Sequence, residues 1–185
     1  MAGFRAALEG LGHGAVSTVL NSGNAVFSST GRSTGKLAEE IARVVQERFG
    51  VATPVIVKSA AEFEAIVRSN PFPPQAPEHS RFLVAFAMDT GKLQELKSLE
   101  PLLQPGERLA VTEHAAYLHC AGGLLESRAG AAILGPAGRG VTTRNWATVL
   151  KLSALLGGPA GSAMTTGSMA APARAPSTLR QRHRT

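Results

Sequence analysis

The chain predicts an α+β fold made of short strands and amphipathic helices. Residues 15–29, A-V-S-T-V-L-N-S-G-N-A-V-F-S-S, indicate a hairpin, because two β-rich runs flank the polar residues 21–24. Asn and Gly tolerate positive φ and can reverse the chain there. A helix is indicated at 36–49, where apolar residues recur at helical spacing. Residues 53–58, T-P-V-I-V-K, are typical of a short strand with a proline near its start.

Residues 1–59 form the first predicted unit. Phe4, Leu8 and Leu11 share one helical face, so a helix is expected over 3–11, ahead of the hairpin. The order of elements is therefore α-β-β-α-β. This is the ferredoxin-like split βαβ pattern without its opening strand.

Residues 60–156 form a second α+β unit. Its proline-rich passage at 70–77 is expected to be extended or turning. Thr142 or Thr143 is the expected N-cap of the last helix. The apolar pattern predicts, in chain order, a helix at 60–68, a buried strand at 81–88, a helix at 91–99, a hairpin of 107–112 and 115–120, and helices at 124–134 and 143–156.

Residues 157–185 form a basic tail. They hold four of the 19 Lys and Arg and none of the 13 Asp and Glu, so the tail carries +4 and the rest of the chain +2. Because the tail has almost no large apolar side chains, it cannot offset its ordering entropy and is predicted to be disordered. Its arginines could touch phosphate backbones non-specifically, although it lacks aromatic side chains for base stacking.

The remaining composition indicates a cytoplasmic protein with no membrane association. No apolar run approaches the roughly 20 residues that span a bilayer. Residues 1–12 carry Arg5 and Glu9 and lack the apolar region of a signal peptide. The single cysteine, Cys120, excludes an intramolecular disulfide.

Three separated motifs resemble a bacterial family of unknown function, DUF1697. They are T-V-L-N-S-G-N-A-V-F at 18–27, N-P-F at 70–72 and V-T-T-R-N-W-A-T-V-L-K-L at 141–152. The resemblance covers roughly residues 1–156. It implies two α+β subdomains of ferredoxin-like character and no established activity.

The chain departs from this family at its beginning. Members typically open with a strand and loop that read like L-R-G-I-N-V-G-G, before a helix that begins near a Met. Here Met1 falls at that helix, so the central first strand of the sheet is expected to be absent. We hypothesise a misassigned start site or a truncated gene.

Two polar groups of residues are candidate ligand-binding sites. Asn21, Ser22 and Asn24 place amides and a hydroxyl at the hairpin turn, although turn chemistry alone explains them. Thr143, Arg144 and Asn145 open the expected last helix, where backbone N–H groups and the helix dipole favour an anion. Helix capping and a surface arginine would explain the same residues.

No catalytic residue, metal site or cofactor is predicted. His119 and Cys120 are neighbours on an expected strand, so their side chains point to opposite faces. No His or Cys pair has zinc-site spacing, and no phosphate-loop, dinucleotide or nucleophile-elbow motif is present. The expected function is a non-catalytic module that binds a small ligand or a protein. The alternatives are an enzyme that clamps a small anionic substrate with Arg144, and nucleic-acid association through the tail.

Overall fold

A computed structural model describes residues 2–20, 23–157 and 164–169, and it confirms an α+β fold. Short 3₁₀ helices lie at Ala76–Arg81, Leu96–Leu102 and Pro136–Gly138. The α-helices are α1 (Ala2–Gly10), α2 (Thr34–Phe49), α3 (Ala60–Arg68), α4 (Thr90–Glu95), α5 (Arg128–Leu134) and α6 (Trp146–Leu156). The strands are β1 (Gly14–Val19), β2 (Asn24–Ser28), β3 (Val55–Ser59), β4 (Phe82–Ala87), β5 (Arg108–Val111), β6 (Ala116–His119), β7 (Val141–Asn145) and β8 (Met164–Met169). Within the described ranges, no helix is long and apolar enough to cross a membrane.

The strands form two antiparallel sheets. The first has the order β1-β2-β8-β3 and the second the order β5-β6-β4-β7. The predicted hairpin is present, with Thr18 paired to Ala25 and Val19 to Asn24. The hairpin and β3 share one sheet, as expected, but β8 lies between them.

Strand β8 lies within residues 157–185, the segment that the sequence predicts to be disordered. Residues 164–169 pair with β2 on one side and with β3 on the other. The prediction considered only the apolar surface that the tail could bury. It did not consider that β2 and β3 offer two rows of backbone donors and acceptors, which an extended segment of any composition can satisfy. The other residues of the predicted tail after Gly157 lie outside the described part of the chain.

Three apolar clusters separate the layers, which alternate helix, sheet, helix, sheet, helix. Helices α1 and α2 cover the outer face of the first sheet, α3 and α6 lie between the sheets, and α4 and α5 cover the outer face of the second. The cluster between the sheets joins Val26 and Ile56 of the first sheet to Phe82 and Tyr117 of the second, through α3 and α6. The two sequence units therefore share one buried core.

Local signals explain where the helices begin and end. Ser33 caps α2, which ends at Gly50 in the left-handed conformation with φ 67°. Ser59 and Glu62 form a capping box at the start of α3. Each cap satisfies backbone groups that the helix itself cannot pair.

The last helix begins later than predicted. Thr142 and Thr143 lie in β7, and the N-cap is Asn145, whose side chain accepts from the Thr148 N–H. The stretch V-T-T-R-N pairs with β4, because Ala85 and Phe86 need hydrogen-bond partners along that edge. The threonines therefore contribute β-propensity rather than a helix cap.

Candidate functional site

A side-chain hydrogen bond joins β2 of the first sheet to β7 of the second. Arg144 Nε donates to Asn24 Oδ1 at 2.5 Å, joining residues 120 positions apart in sequence. Asn24 is completely buried, and its Nδ2 donates to the Val19 carbonyl at 3.3 Å. The hairpin thus fixes the Asn24 amide, and the amide in turn fixes the guanidinium of Arg144.

Further contacts from β7 hold Arg144 in the same position. Its Nη1 donates to Thr142 Oγ1 at 3.1 Å and to the Thr143 carbonyl at 2.6 Å. Burial lowers the pKa of Arg144 to about 10, since a low-dielectric environment disfavours the charged form. The side chain is still protonated at neutral pH, so the site keeps a fixed positive charge.

Arg144 lines a groove of about 510 Å³ between α5, β7 and the residue before β3. Ile133, Leu134 and Val141 form an apolar wall, and Leu134 is 56% exposed. The remaining lining residues are Pro54, Gly135, Gly138, Arg139, Gly140, Thr142 and Thr143. Gly140 adopts φ 87° at the turn into β7, which a larger residue would adopt only under strain. The groove therefore combines apolar surface with hydroxyl and guanidinium groups.

The described lining carries positive charge and no carboxylate. Arg139 and Arg144 both lie in it, and neither Asp nor Glu does. The groove is thus suited to a ligand that brings negative charge.

The structure distributes the predicted site residues unevenly. Asn24 and Arg144 come together, and Thr143 lines the groove beside them. Asn145 lies next to Arg144, but its Oδ1 accepts from the Thr148 N–H at 2.9 Å and from the Thr148 hydroxyl at 2.8 Å. Its side chain is engaged in the helix cap. The other two predicted residues, Asn21 and Ser22, lie outside the described residues.

Sequence reasoning missed the other half of the groove, which contains Leu134 and Arg139. The stretch L-G-P-A-G-R-G at 134–140 contains three glycines without a recognised motif. The sequence signal was a leucine and an arginine, Leu134 and Arg139, in the glycine-rich segment immediately before V-T-T-R-N. That signal becomes informative only once β7 is known to start at Val141.

The Cys120 thiol and the His119 imidazole are buried and do not line this groove. Burial raises the pKa of the Cys120 thiol, and this residue is fully buried against the outer helices of the second sheet. His119 lies on the opposite face, near Phe82. Across the described chain, no group of three or more His, Cys, Asp and Glu could hold a metal ion.

Fold and site together define a two-sheet α+β protein with a positively charged groove next to the shared core. The chain belongs to the family described as proteins of unknown function, DUF1697, whose model matches residues 1–117. This confirms the resemblance drawn from the sequence motifs, the third of which lies beyond the matched residues.

The fold is similar to that of a solved bacterial structure. It is the conserved bacterial protein SP0830 from Streptococcus pneumoniae, with a TM-score of 0.66 and 23% sequence identity. The match covers 84% of this chain and 88% of that chain. No curated protein matches the chain at a significant level.

Proposed function

We propose that the protein is a non-catalytic binding module whose groove takes a small amphipathic anion. The ligand is a carboxylate or phosphate that carries an apolar group. The observation that supports this proposal is the groove lining, which includes two arginines and an apolar wall and in which no described lining residue is acidic.

The charge balance in the groove favours an anion. The end of α5 also reaches the groove, through Ile133, Leu134 and Gly135. A helix C-terminus carries about half a negative charge at most, and a helix as short as α5 carries less. Two guanidinium groups outweigh it.

The fixed position of Arg144 adds to the affinity. An arginine on a surface loses much rotamer freedom when it binds a ligand, at a cost of about 0.5–1.5 kcal/mol. Asn24 and Thr142 already hold the Arg144 side chain in the free protein. Most of that entropy is therefore lost on folding and not on binding.

The lining favours binding over catalysis. General acid–base catalysis needs a group that titrates near the working pH. The described lining offers hydroxyls and guanidinium groups, and neither titrates near neutrality. The alternative, an enzyme acting on a small anion, would need a catalytic group from elsewhere.

Calorimetric titration of the full-length chain with octanoate tests the proposal, with inorganic phosphate and octanol as the purely anionic and purely apolar comparisons. We expect octanoate to bind most tightly and Arg139→Glu to abolish the binding. Arg43→Glu is the matched control, because Arg43 is an exposed arginine on α2 that pairs with Glu47. The proposal fails if none of the compounds binds, or if Arg139→Glu and Arg43→Glu weaken binding equally.

We also propose that both sheets are ferredoxin-like. The second sheet follows the chain order β4-α4-β5-β6-α5-β7, which is a βαββαβ pattern. The first sheet has the corresponding spatial order if β8 takes the place of the opening strand.

We further propose a cytoplasmic location, which the single free cysteine favours.

A further inference from the structure

Strand β8 connects two parts of the first sheet that do not pair with each other. In the sheet order, β2 and β3 are neighbours of β8 and not of one another. Gly167 is paired with Ala25 on one side and with Val57 on the other. Both ladders are antiparallel, with five residue pairs on each side. Strand β3 thus joins its sheet through β8.

We propose that the slot between β2 and β3 is a strand-acceptor site. It binds an extended peptide segment through backbone hydrogen bonds on both sides, and its occupant is residues 164–169 of the same chain. The segment behaves as a tethered ligand, which the same sequence supplied as a free peptide can replace.

The walls of the slot also contact parts of the chain other than its occupant. Ala25, Val26 and Phe27 of β2 are at most 1% exposed, and Val57 of β3 is fully buried. These side chains pack on α1, α2 and the core between the sheets. Both edges are therefore held in place by packing, while their inward backbone groups require a partner.

The occupant is suited to exchange because of its sequence. Between its two methionines β8 reads T-T-G-S, whereas the paired residues read N-A-V-F in β2 and I-V-K-S in β3. A central Gly weakens a strand and contributes no side chain. Binding therefore rests on the two hydrogen-bond ladders, as in recognition by strand addition.

The tether explains why the chain fills its own slot. Residues 157–163 separate α6 from β8, and a short linker gives an effective concentration of about millimolar. A free peptide at lower concentration cannot displace the tethered strand. It can bind once the tethered strand is unable to pair.

The test uses full-length Gly167→Pro, because proline removes a backbone donor and disrupts pairing at the centre of both ladders. We expect a lower melting temperature and faster hydrogen exchange in β2 and β3. A synthetic peptide of residues 161–172 at about millimolar concentration should restore both measurements. The same peptide with proline at position 167 should not. Thr178→Pro, which lies beyond β8, is the matched control and should behave as the unmodified chain.

Three results would overturn the proposal. The first is an unchanged melting temperature and exchange pattern in Gly167→Pro, which would mean that β8 does not hold the sheet. The second is destabilisation that the free peptide does not reverse, which would mean that the slot does not accept a strand in trans. The third is a full-length dimer by native mass spectrometry in which the protection of β2 and β3 is lost on dilution. That result would assign the occupant to a second copy.

Discussion

The hydrogen bond between Asn24 and Arg144 should couple the two residues energetically. Asn24→Ala removes the acceptor of Arg144 Nε and the donor to the Val19 carbonyl. A hydrogen bond to a charged group contributes about 1.5–3 kcal/mol and a neutral one about 1 kcal/mol. We therefore expect Asn24→Ala to cost about 2.5–4 kcal/mol. At roughly 2–4 °C per kcal/mol for a chain of this size, the melting temperature should fall by roughly 5–16 °C.

A double-mutant cycle isolates the interaction between the two side chains. Urea unfolding of Asn24→Ala, Arg144→Ala and the double variant should give a coupling energy of about 1.5–3 kcal/mol. Asn24→Asp serves as a comparison: it keeps an oxygen for Arg144, but it replaces the donor to Val19 with a carboxylate oxygen and adds a buried negative charge. Additive effects, with a coupling energy below about 0.5 kcal/mol, would refute the argument that Asn24 fixes the guanidinium.

Two further predictions concern stability. Tyr117→Phe should lower the free energy of unfolding by about 1–2 kcal/mol, measured by thermal unfolding. The reason is that the buried Tyr117 hydroxyl donates to the Ile66 carbonyl at 2.6 Å and lies 2.7 Å from Ser69 Oγ. An unchanged melting temperature would contradict these hydrogen bonds. Burial lowers the pKa of His13. The nearby charge of Glu40 raises this pKa by less, and the charge of Arg32 lowers it slightly further. The folded state then binds fewer protons than the unfolded state, so stability should fall as pH drops below about 6.5. His13→Leu should flatten this dependence, and parallel curves for the two proteins would exclude His13 as its source.

The sequence predicted those elements whose signals are local. The helical spacing of Leu37 and Ile41 marked α2, and the turn residues between Leu20 and Ala25 marked the hairpin. Each of these patterns depends on residues close together in the chain, so no knowledge of the tertiary structure was needed.

The missed elements depend on distant partners. Strand β7 has a polar sequence and exists because β4 presents a free edge. Strand β8 has few apolar residues and exists because β2 and β3 leave a slot. Whether a segment pairs with a strand edge depends on which edges the rest of the sheet leaves open. Composition and periodicity therefore could not predict either strand.

The candidate site was predicted in part for the same reason. Asn24 and Arg144 were selected separately, one as a turn residue and the other as a helix-start residue. Their contact depends on how the two sheets pack on the shared core. The groove residues Leu134 and Arg139 become informative only once β7 is known to start at Val141.

The most direct test of the binding proposal is the NMR signal of the Arg144 side-chain Nε–H. A guanidinium held by Asn24 beside the groove should give a resonance that exchanges slowly with water, is lost in Asn24→Ala, and shifts when octanoate is added to the full-length chain. An Arg144 signal that exchanges as fast as that of exposed Arg43, or that does not move at saturating octanoate, would contradict the account.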